Sequence, residues 1–146
     1  QEKGVVLAER LQSIINKKDK KKQIVLGKLD ISFYRDDYRT SDTPLKVSET
    51  DIEFSIEGKH IILVDDVLYS GRTVQAGISA LQDFGRPASV QLLVMIDRRF
   101  NRHLPIKADY IGLAVDALDE AYVRVRLKEL DGEDQILFFS GKDKVK

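Results

Sequence analysis

The sequence has no cysteine and no tryptophan, and only one methionine and three prolines in 146 residues. Without cysteine, disulfides and cysteine-ligated zinc are excluded, which suits a reducing compartment, and we expect the cytoplasm. No apolar run approaches the roughly 20 residues that a membrane-spanning helix needs. The 24 basic and 24 acidic side chains cancel. No global field therefore attracts nucleic acid, and any RNA binding would need a local basic patch.

The chain has the length and composition of one globular domain spanning residues 1–146. Helical spacing of apolar residues predicts helices over 5–16 and 73–84. Short apolar or alternating runs predict strands at 24–34, 52–56, 60–64, 90–96, 110–115, 122–127 and 136–139. The order strand, helix, strand is typical of a right-handed βαβ unit. We therefore predict an α/β fold with a mainly parallel central sheet, flanking helices and a flexible hairpin arm formed by the polar stretch 35–49 and its flanking strands.

Two consecutive carboxylates, Asp65 and Asp66, follow the apolar strand at 60–64. Open α/β sheets bind their ligands at the carboxyl ends of the strands, where this pair is expected to lie. Adjacent like charges repel, so the pair needs a compensating partner such as sugar hydroxyls or a metal ion.

The residues after the acidic pair form a candidate anion site. Tyr69-Ser70-Gly71-Arg72-Thr73 leads directly into a helix, whose free N–H groups attract anions. Gly71 lets the backbone approach a phosphate closely, and Ser70 and Thr73 can donate hydroxyl hydrogen bonds. Arg72 can add charge or contact a neighbour. The alternative is an ordinary strand-to-helix turn with a serine cap and an incidental pair of aspartates.

The segment 61–73 resembles the signature of the type I phosphoribosyltransferases, which is four apolar residues, two acids and a short phosphate loop. Three further stretches resemble the PyrR branch: DISFYRDD at 30–37, FGRP at 84–87 and LPIKADYIG at 104–112. The resemblance is strong from 30 to 112 and looser afterwards. It implies the type I phosphoribosyltransferase fold and two activities, uracil phosphoribosyltransferase and regulator of pyrimidine operons by attenuation.

The reaction that the resemblance implies transfers phosphoribose from 5-phosphoribosyl-1-pyrophosphate (PRPP) to uracil, giving UMP and pyrophosphate. The implied PRPP and 5′-phosphate site comprises Val64, Asp65, Asp66, Val67, Leu68, Tyr69, Ser70, Gly71, Arg72 and Thr73. Asp65 and Asp66 would hold the ribose hydroxyls and stabilise an oxocarbenium-like carbon. Mg²⁺ would neutralise the pyrophosphate, and the arm carrying Arg35 would close over the site as part of the catalytic set.

The resemblance also places a pyrophosphate loop at Glu2, Lys3 and Gly4, where the family commonly has Lys-Thr-Arg-Gly. Glu2 stands at the threonine position and Lys3 at the arginine position, so we expect an altered hold on pyrophosphate. The family's opening helix and strand would precede this loop, and we expect them to be absent from the chain.

The base pocket is predicted beyond the end of the next strand. Its residues are Met95, Ile96, Asp97 and Arg98, with Val123 added by resemblance. Spacing alone is equally compatible with a surface ion pair between Asp97 and Arg98.

PyrR proteins also bind the leader RNA of pyrimidine genes with UMP as corepressor. Candidate RNA contacts are Arg99, Arg102 and Lys107, and a second basic face carries Arg124, Arg126 and Lys128. The second face could equally be a solvated side of a sheet. The family also suggests a homodimer or higher homo-oligomer. Two other functions remain open, a phosphoribosyltransferase for another base and a nucleotide-sensing RNA-binding regulator without catalysis.

Overall fold

The computed structural model describes residues 2–21, 23–31, 51–116 and 121–139. Three helices and five strands lie in these ranges. In chain order they are α1 Glu2–Lys18, β1 His60–Leu68, α2 Arg72–Gln82, β2 Ser89–Arg98, β3 Tyr110–Val115, β4 Tyr122–Arg126, α3 Lys128–Asp131 and β5 Gln135–Phe139. No helix within the described ranges is long and apolar enough to cross a membrane.

Strands β1, β2 and β3 form a parallel sheet in that order, with α2 as the crossover between the first two. The register places Leu63 opposite Leu92 and Leu68 opposite Asp97. The carboxyl ends of β1 and β2 therefore lie side by side. Strands β4 and β5 form a separate antiparallel pair. The predicted α/β fold with a mainly parallel sheet is confirmed.

The two larger buried apolar clusters hold these elements together. The first joins Val6 and Leu7 of α1 to Ile96 of β2 and to Val125 and Leu127 around β4. The second consists of Leu68, Val74, Leu92, Val94 and Ala108, and so joins α2 to β1 and β2. Because α1 and α2 contribute to different clusters, the sheet is covered as parallel sheets usually are, by helices on both faces.

Two element boundaries differ from the sequence prediction in ways that matter for the site. Helix α1 begins at Glu2, so the predicted loop Glu2–Gly4 is instead the first turn of a helix. Strand β1 continues to Leu68, so Asp65 and Asp66 lie within the strand and not beyond its end. The strand continues because Val67 and Leu68 pair with Ile96 and Asp97 of β2.

The strands predicted at 24–34 and 52–56 are absent from their described portions, 24–31 and 52–56. A single antiparallel bridge between Lys28 and Asp51 joins these segments, through N–H···O hydrogen bonds of 2.8 and 2.9 Å. The apolar alternation was misleading because Ile31 packs against Ala76 and Ala80 of α2 and has no strand partner among the residues that the structure describes. The central part of the predicted arm lies outside the described residues.

Candidate functional site

The acidic pair occupies the second half of β1, where both residues are partly buried. The backbone N–H of Asp66 donates to Oδ1 of Asp65 at 2.8 Å. Burial, followed by the hydrogen bond and charge of Asp66, raises the pKa of Asp65 to about 7. Near neutral pH this carboxyl therefore exchanges readily between its protonated and ionised forms. A cation or a set of sugar hydroxyls beside it would favour ionisation.

The anion cradle predicted after the acidic pair has the required backbone form. Gly71 occupies the N-cap position of α2 with φ 91° and ψ −4°, a left-handed conformation that favours glycine. It makes no side-chain capping bond. Ser70 Oγ accepts from the N–H of Arg72 at 3.3 Å, a long hydrogen bond. The first turn of this 11-residue helix thus faces the loop with little competition from side chains, which favours an anion cradle over a serine-capped turn.

Asp97 and Arg98, at the end of β2, are both buried, with 7% and 6% of their surfaces exposed. A surface ion pair is therefore the wrong interpretation. Asp97 accepts a hydrogen bond of 2.7 Å from Arg102. Arg98 donates to the carbonyl of Ala121 at 2.7 Å, and its guanidinium lies 4.3 Å from the ring centroid of Tyr69 in the phosphate loop. The predicted base-pocket edge and the predicted phosphate loop are thus in direct contact.

The apolar members of the predicted base pocket belong to the buried cluster to which α1 contributes. Ile96 is inaccessible to solvent, and Met95 and Val123 pack against the same α1-side cluster. Met95 and Ile96 directly precede Asp97 and Arg98 in β2. Any ligand at this edge would meet the ends of the strands and their backbone groups.

The first turn of α1 lies beside the acidic pair. Glu2, Lys3, Asp66, Leu130 and Asp131 line one open cleft, so the structure brings two of the predicted pyrophosphate residues next to an aspartate of β1. The ammonium of Lys3 donates to the carbonyl of Val125 in β4. A Cβ at Gly4 would lie 2.8 Å from the carbonyl oxygen of Val64, so only glycine lets α1 approach β1 this closely.

The candidate RNA contacts differ in their surroundings. Arg99 is exposed and forms an ion pair of 2.5 Å with Asp116, and Lys107 is exposed. Only 20% of the Arg102 side chain is exposed, and its guanidinium points inward to Asp97. In the second basic face, Arg126 pairs with Glu133 at 3.2 Å. Arg35 lies outside the described residues.

Several residues at the site were not found by sequence reasoning. Leu104 and Ile106 pack around Gly71, and the N–H groups of His103 and Leu104 donate to the carbonyl of Ser70. Leu130 and Asp131 line the cleft beside Glu2. These contacts join residues more than 30 positions apart, and no local spacing or composition signals them.

The carboxylates suit Mg²⁺ in a limited way. Within the described residues no three His, Cys, Asp or Glu side chains converge as a metal cage. Mg²⁺ commonly keeps several waters and binds through one or two carboxylates together with substrate phosphates. Asp65 and Asp66 fit that arrangement and do not fit a metal site built entirely from protein.

Comparisons with known proteins identify the family. A phosphoribosyl transferase domain model matches residues 1–129. The chain is 47% identical over 135 residues to the bifunctional protein PyrR of Elusimicrobium minutum, covering 92% of this chain and 74% of that protein. It is 40% identical over 141 residues to the PyrR of Enterococcus faecalis, covering 97% and 78%.

A hypoxanthine phosphoribosyltransferase structure from Trypanosoma cruzi matches with 26% identity and a TM-score of 0.49, over 62% of this chain and 48% of that one. The domain match and the two PyrR relatives together confirm the prediction made from the segment 61–73 and its surroundings. The chain belongs to the PyrR family and is a phosphoribosyltransferase.

Proposed function

We propose that the chain transfers phosphoribose from PRPP to uracil, with residues 64–73 holding the ribose 5-phosphate. The observation that carries this proposal is the continuity of β1, the turn at Tyr69–Gly71 and α2. This continuity puts two partly buried carboxylates and an uncapped helix N-terminus on one short stretch of chain. A ribose 5-phosphate likewise presents hydroxyls and an anion within one small molecule.

Asp65 and Asp66 act on the ribose in this proposal. They accept hydrogen bonds from the 2′- and 3′-hydroxyls and place negative charge near C1 as it becomes cationic. The raised pKa of Asp65, about 7, makes its charge responsive to the ligand. Positive charge developing on the ribose favours the ionised carboxylate, so the interaction strengthens as the reaction proceeds.

Mg²⁺ bound to the PRPP oxygens would neutralise the leaving pyrophosphate, and Asp65 and Asp66 are the protein groups that would hold it. Glu2 and Lys3 would meet the pyrophosphate across the cleft from Asp66. Lys3 is bonded to the carbonyl of Val125, and Glu2 adds a carboxylate to a cleft that already contains Asp66 and Asp131. We therefore expect weak binding of free pyrophosphate on this side.

The base would lie at the ends of β1 and β2, against Asp97 and Arg98. Uracil has alternating carbonyl and N–H groups on one edge, which backbone groups at strand ends can read. The contact of Arg98 with Tyr69 links this edge to the phosphate loop. Arg35, on the proposed arm, would help to exclude water during transfer.

The experiment that tests the proposal measures pyrophosphate release from PRPP with uracil and Mg²⁺. The double variant Asp65→Asn with Asp66→Asn should lose activity by at least about 100-fold, since both stabilising charges are removed. Asp51→Asn is the matched control, because Asp51 is an exposed aspartate outside the site. Full activity in the double variant would rule out the mechanism. Release with another base, in a panel including hypoxanthine and orotate, would correct the substrate.

A second role, UMP-dependent binding of pyrimidine leader RNA, is favoured by the membership of a family whose proteins are named bifunctional. Exposed Arg99 and Lys107 remain candidate contacts, whereas Arg102 is directed inward. A filter-binding titration of leader RNA, with and without UMP and over a range of salt, tests it. Binding that UMP strengthens and salt weakens is expected. RNA binding without any measurable phosphoribosyl transfer would favour a regulator without catalysis. Glu2 in the cleft and Lys3, bonded to the carbonyl of Val125, also favour that alternative.

The proposed setting of these activities is the cytoplasm, where PRPP and uracil would be available to a homodimer or larger homo-oligomer. Size measurement in solution would test the assembly. A monomer at assay concentrations would rule out this part of the proposal.

A further inference from the structure

The loop after β2, residues 99–106, wraps around the phosphate loop, and we call it the bracket loop. The N–H groups of His103 and Leu104 donate to the carbonyl of Ser70 at 2.8 and 3.1 Å. Arg102 Nη1 donates to the carbonyl of Tyr69 at 2.6 Å. Two consecutive carbonyls of the phosphate loop thus accept hydrogen bonds from the bracket loop, more than 30 residues further along the chain.

Because peptide groups are planar, these hydrogen bonds also determine the direction of two backbone N–H groups. In a trans peptide the C=O of one residue and the N–H of the next point in opposite directions. The Tyr69 carbonyl belongs to the plane that carries the N–H of Ser70, and the Ser70 carbonyl to the plane that carries the N–H of Gly71. With both carbonyls bonded to the bracket loop, both N–H groups are directed away from it, as an anion cradle requires.

Arg102 makes a second contact, with Asp97, which fixes the position of the guanidinium that bonds to the Tyr69 carbonyl. Its Nη2 donates to Oδ1 of Asp97 at 2.7 Å, and the two side chains are 20% and 9% exposed. Such a charge-assisted bond is short and directional, and partial burial protects it from screening by salt. Arg102 therefore spans from the buried end of β2 to the turn after β1. The planar guanidinium sets the distance between the two, which a flexible ammonium would not do.

Apolar packing supports the same arrangement. A Cβ at Gly71 would lie 3.0 Å from Cγ1 of Ile106 and 3.5 Å from Cβ of Leu104, so the bracket loop already fills the space on that side of the turn. A side chain at position 71 would therefore push the turn and the bracket loop apart. The polar bonds prevent the turn from moving away.

We infer that Arg102 is a positioning residue for the phosphate loop. It holds the peptide plane between Tyr69 and Ser70 in the anion-binding orientation and links it to Asp97 at the proposed base edge. The inference rests on the proposed assignment of 64–73 to the ribose 5-phosphate. Arg102 touches no substrate in this role, and its loss should weaken phosphate recognition far more than base recognition.

The experiment compares UMP with uridine, which lacks the phosphate, as ligands of the full chain in the absence of RNA. Arg102→Met should weaken UMP binding and raise KM for PRPP by about 10- to 100-fold, the usual effect of removing a charge-assisted hydrogen bond. Uridine binding and KM for uracil should change less than about threefold. Arg86→Met is the matched control, because Arg86 is an exposed arginine in the turn between α2 and β2. It should leave all four quantities unchanged.

Arg102→Lys keeps the charge but not the two-armed geometry, and it provides a second variant should the methionine substitution not fold. It should fall between wild type and Arg102→Met in UMP affinity, with the amide NMR signals of Ser70 and Gly71 shifted from their wild-type positions. Unchanged UMP affinity in either folded variant would overturn the inference. So would an equal loss for UMP and uridine, because that is the result of a general structural defect.

A different result is expected if the proposed function itself is wrong. A wild-type chain that binds UMP no better than uridine would show that 64–73 is not a phosphate site. In that case the Arg102 contacts would be structural support for an ordinary turn.

Discussion

The side of the site at the end of β1 and the side at the start of α1 are held in different ways. On the β1 side, two carbonyls of the turn are bonded to the bracket loop and Gly71 is packed against Ile106. On the α1 side, the position is fixed by Gly4 against the carbonyl of Val64 and by Lys3 on the carbonyl of Val125. The first set of contacts directs two backbone N–H donors away from the bracket loop, whereas the second uses a potential ligand-binding cation, Lys3, to hold the fold together.

The difference shows where a binding site can vary without loss of the fold. In the proposed site, the phosphate side at the end of β1 depends on backbone N–H groups, which every sequence has, and on residues that orient them. The proposed pyrophosphate side depends on side chains in the first turn of α1, where a residue such as Glu2 alters the charge in the cleft but leaves the backbone intact. We therefore expect affinity for a 5′-phosphate to be more robust than affinity for pyrophosphate.

The first prediction concerns the cost of keeping Asp65 in β1. Its pKa is about 7 when folded against 3.8 as the ordinary value, so the folded chain holds the extra proton between those two pH values. The proton on Asp65 therefore favours the folded state. The free energy of unfolding has its full value below about pH 4, falls as the pH rises and loses this contribution above about pH 7. Asp65→Asn, which stays neutral, should raise the free energy of unfolding at pH 8 by on the order of 3 kcal/mol and change it little at pH 4.

Urea denaturation of both proteins across pH 4–8 measures this difference. Asp51→Asn serves as control and should follow wild type at every pH, since Asp51 is exposed. Parallel stability curves for wild type and Asp65→Asn would show that Asp65 is not destabilising. A destabilising carboxylate on the β1 side has no obvious purpose except ligand binding. The result therefore tests whether the β1 side, unlike the α1 side, is built for binding at a cost in stability.

The sequence predicted the β1 side far better than the α1 side. The order of apolar strand, two acids and a small turn before a helix is local, so the residues that form it are adjacent in the chain. The same order places Leu68 next to Asp97 through an ordinary parallel register. What sequence could not give is the bracket loop, because the bond from Arg102 to Tyr69 depends on the path of a loop without periodicity.

The α1 side was predicted as a loop because the family motif was read as a turn ending in glycine. Gly4 instead lies inside the helix, where its missing side chain lets α1 approach Val64. A glycine required for close packing and a glycine required for a turn are identical in sequence. Only the position of a distant strand distinguishes them.

The second prediction tests that packing role with a matched pair of substitutions. Gly4→Ala places a Cβ 2.8 Å from the backbone oxygen of Val64 and should destabilise the chain by about 1–3 kcal/mol. Gly77→Ala, in the middle of α2, meets only the side chain of Leu63 at 3.7 Å. Since alanine is the better helix former, it should be neutral or stabilise the chain by about 0.5–1 kcal/mol.

Thermal and urea unfolding of the two variants measures the difference in their stability. PRPP binding by each variant shows whether the altered packing also affects the site. Because Val64 precedes Asp65 directly, Gly4→Ala should also weaken PRPP binding, whereas Gly77→Ala should not. Equal stability of the two variants would show that α1 can shift from β1 at little cost. The first turn of the helix would then be free to move when pyrophosphate binds.

The third and smallest predicted effect concerns the charge of the cleft. Glu2→Thr with Lys3→Arg installs the residues common in the family and removes one carboxylate from a cleft that contains Asp66 and Asp131. Affinity for PRPP and for free pyrophosphate should rise by roughly 3- to 10-fold, the effect of about one exposed charge interaction. The gain should shrink at high salt. Affinity for UMP, which has no pyrophosphate, should not change.

Isothermal titration with PRPP, pyrophosphate and UMP separates these outcomes, and Glu9→Thr, an exposed position on the same helix, controls for a general loss of negative charge. A rise in UMP affinity equal to that for PRPP would mean that Glu2 acts on the whole site through its field. The two sides would then be electrostatically one unit, although they are held in place by separate contacts. A gain confined to PRPP and pyrophosphate would establish that the cleft beside α1 reads the pyrophosphate alone.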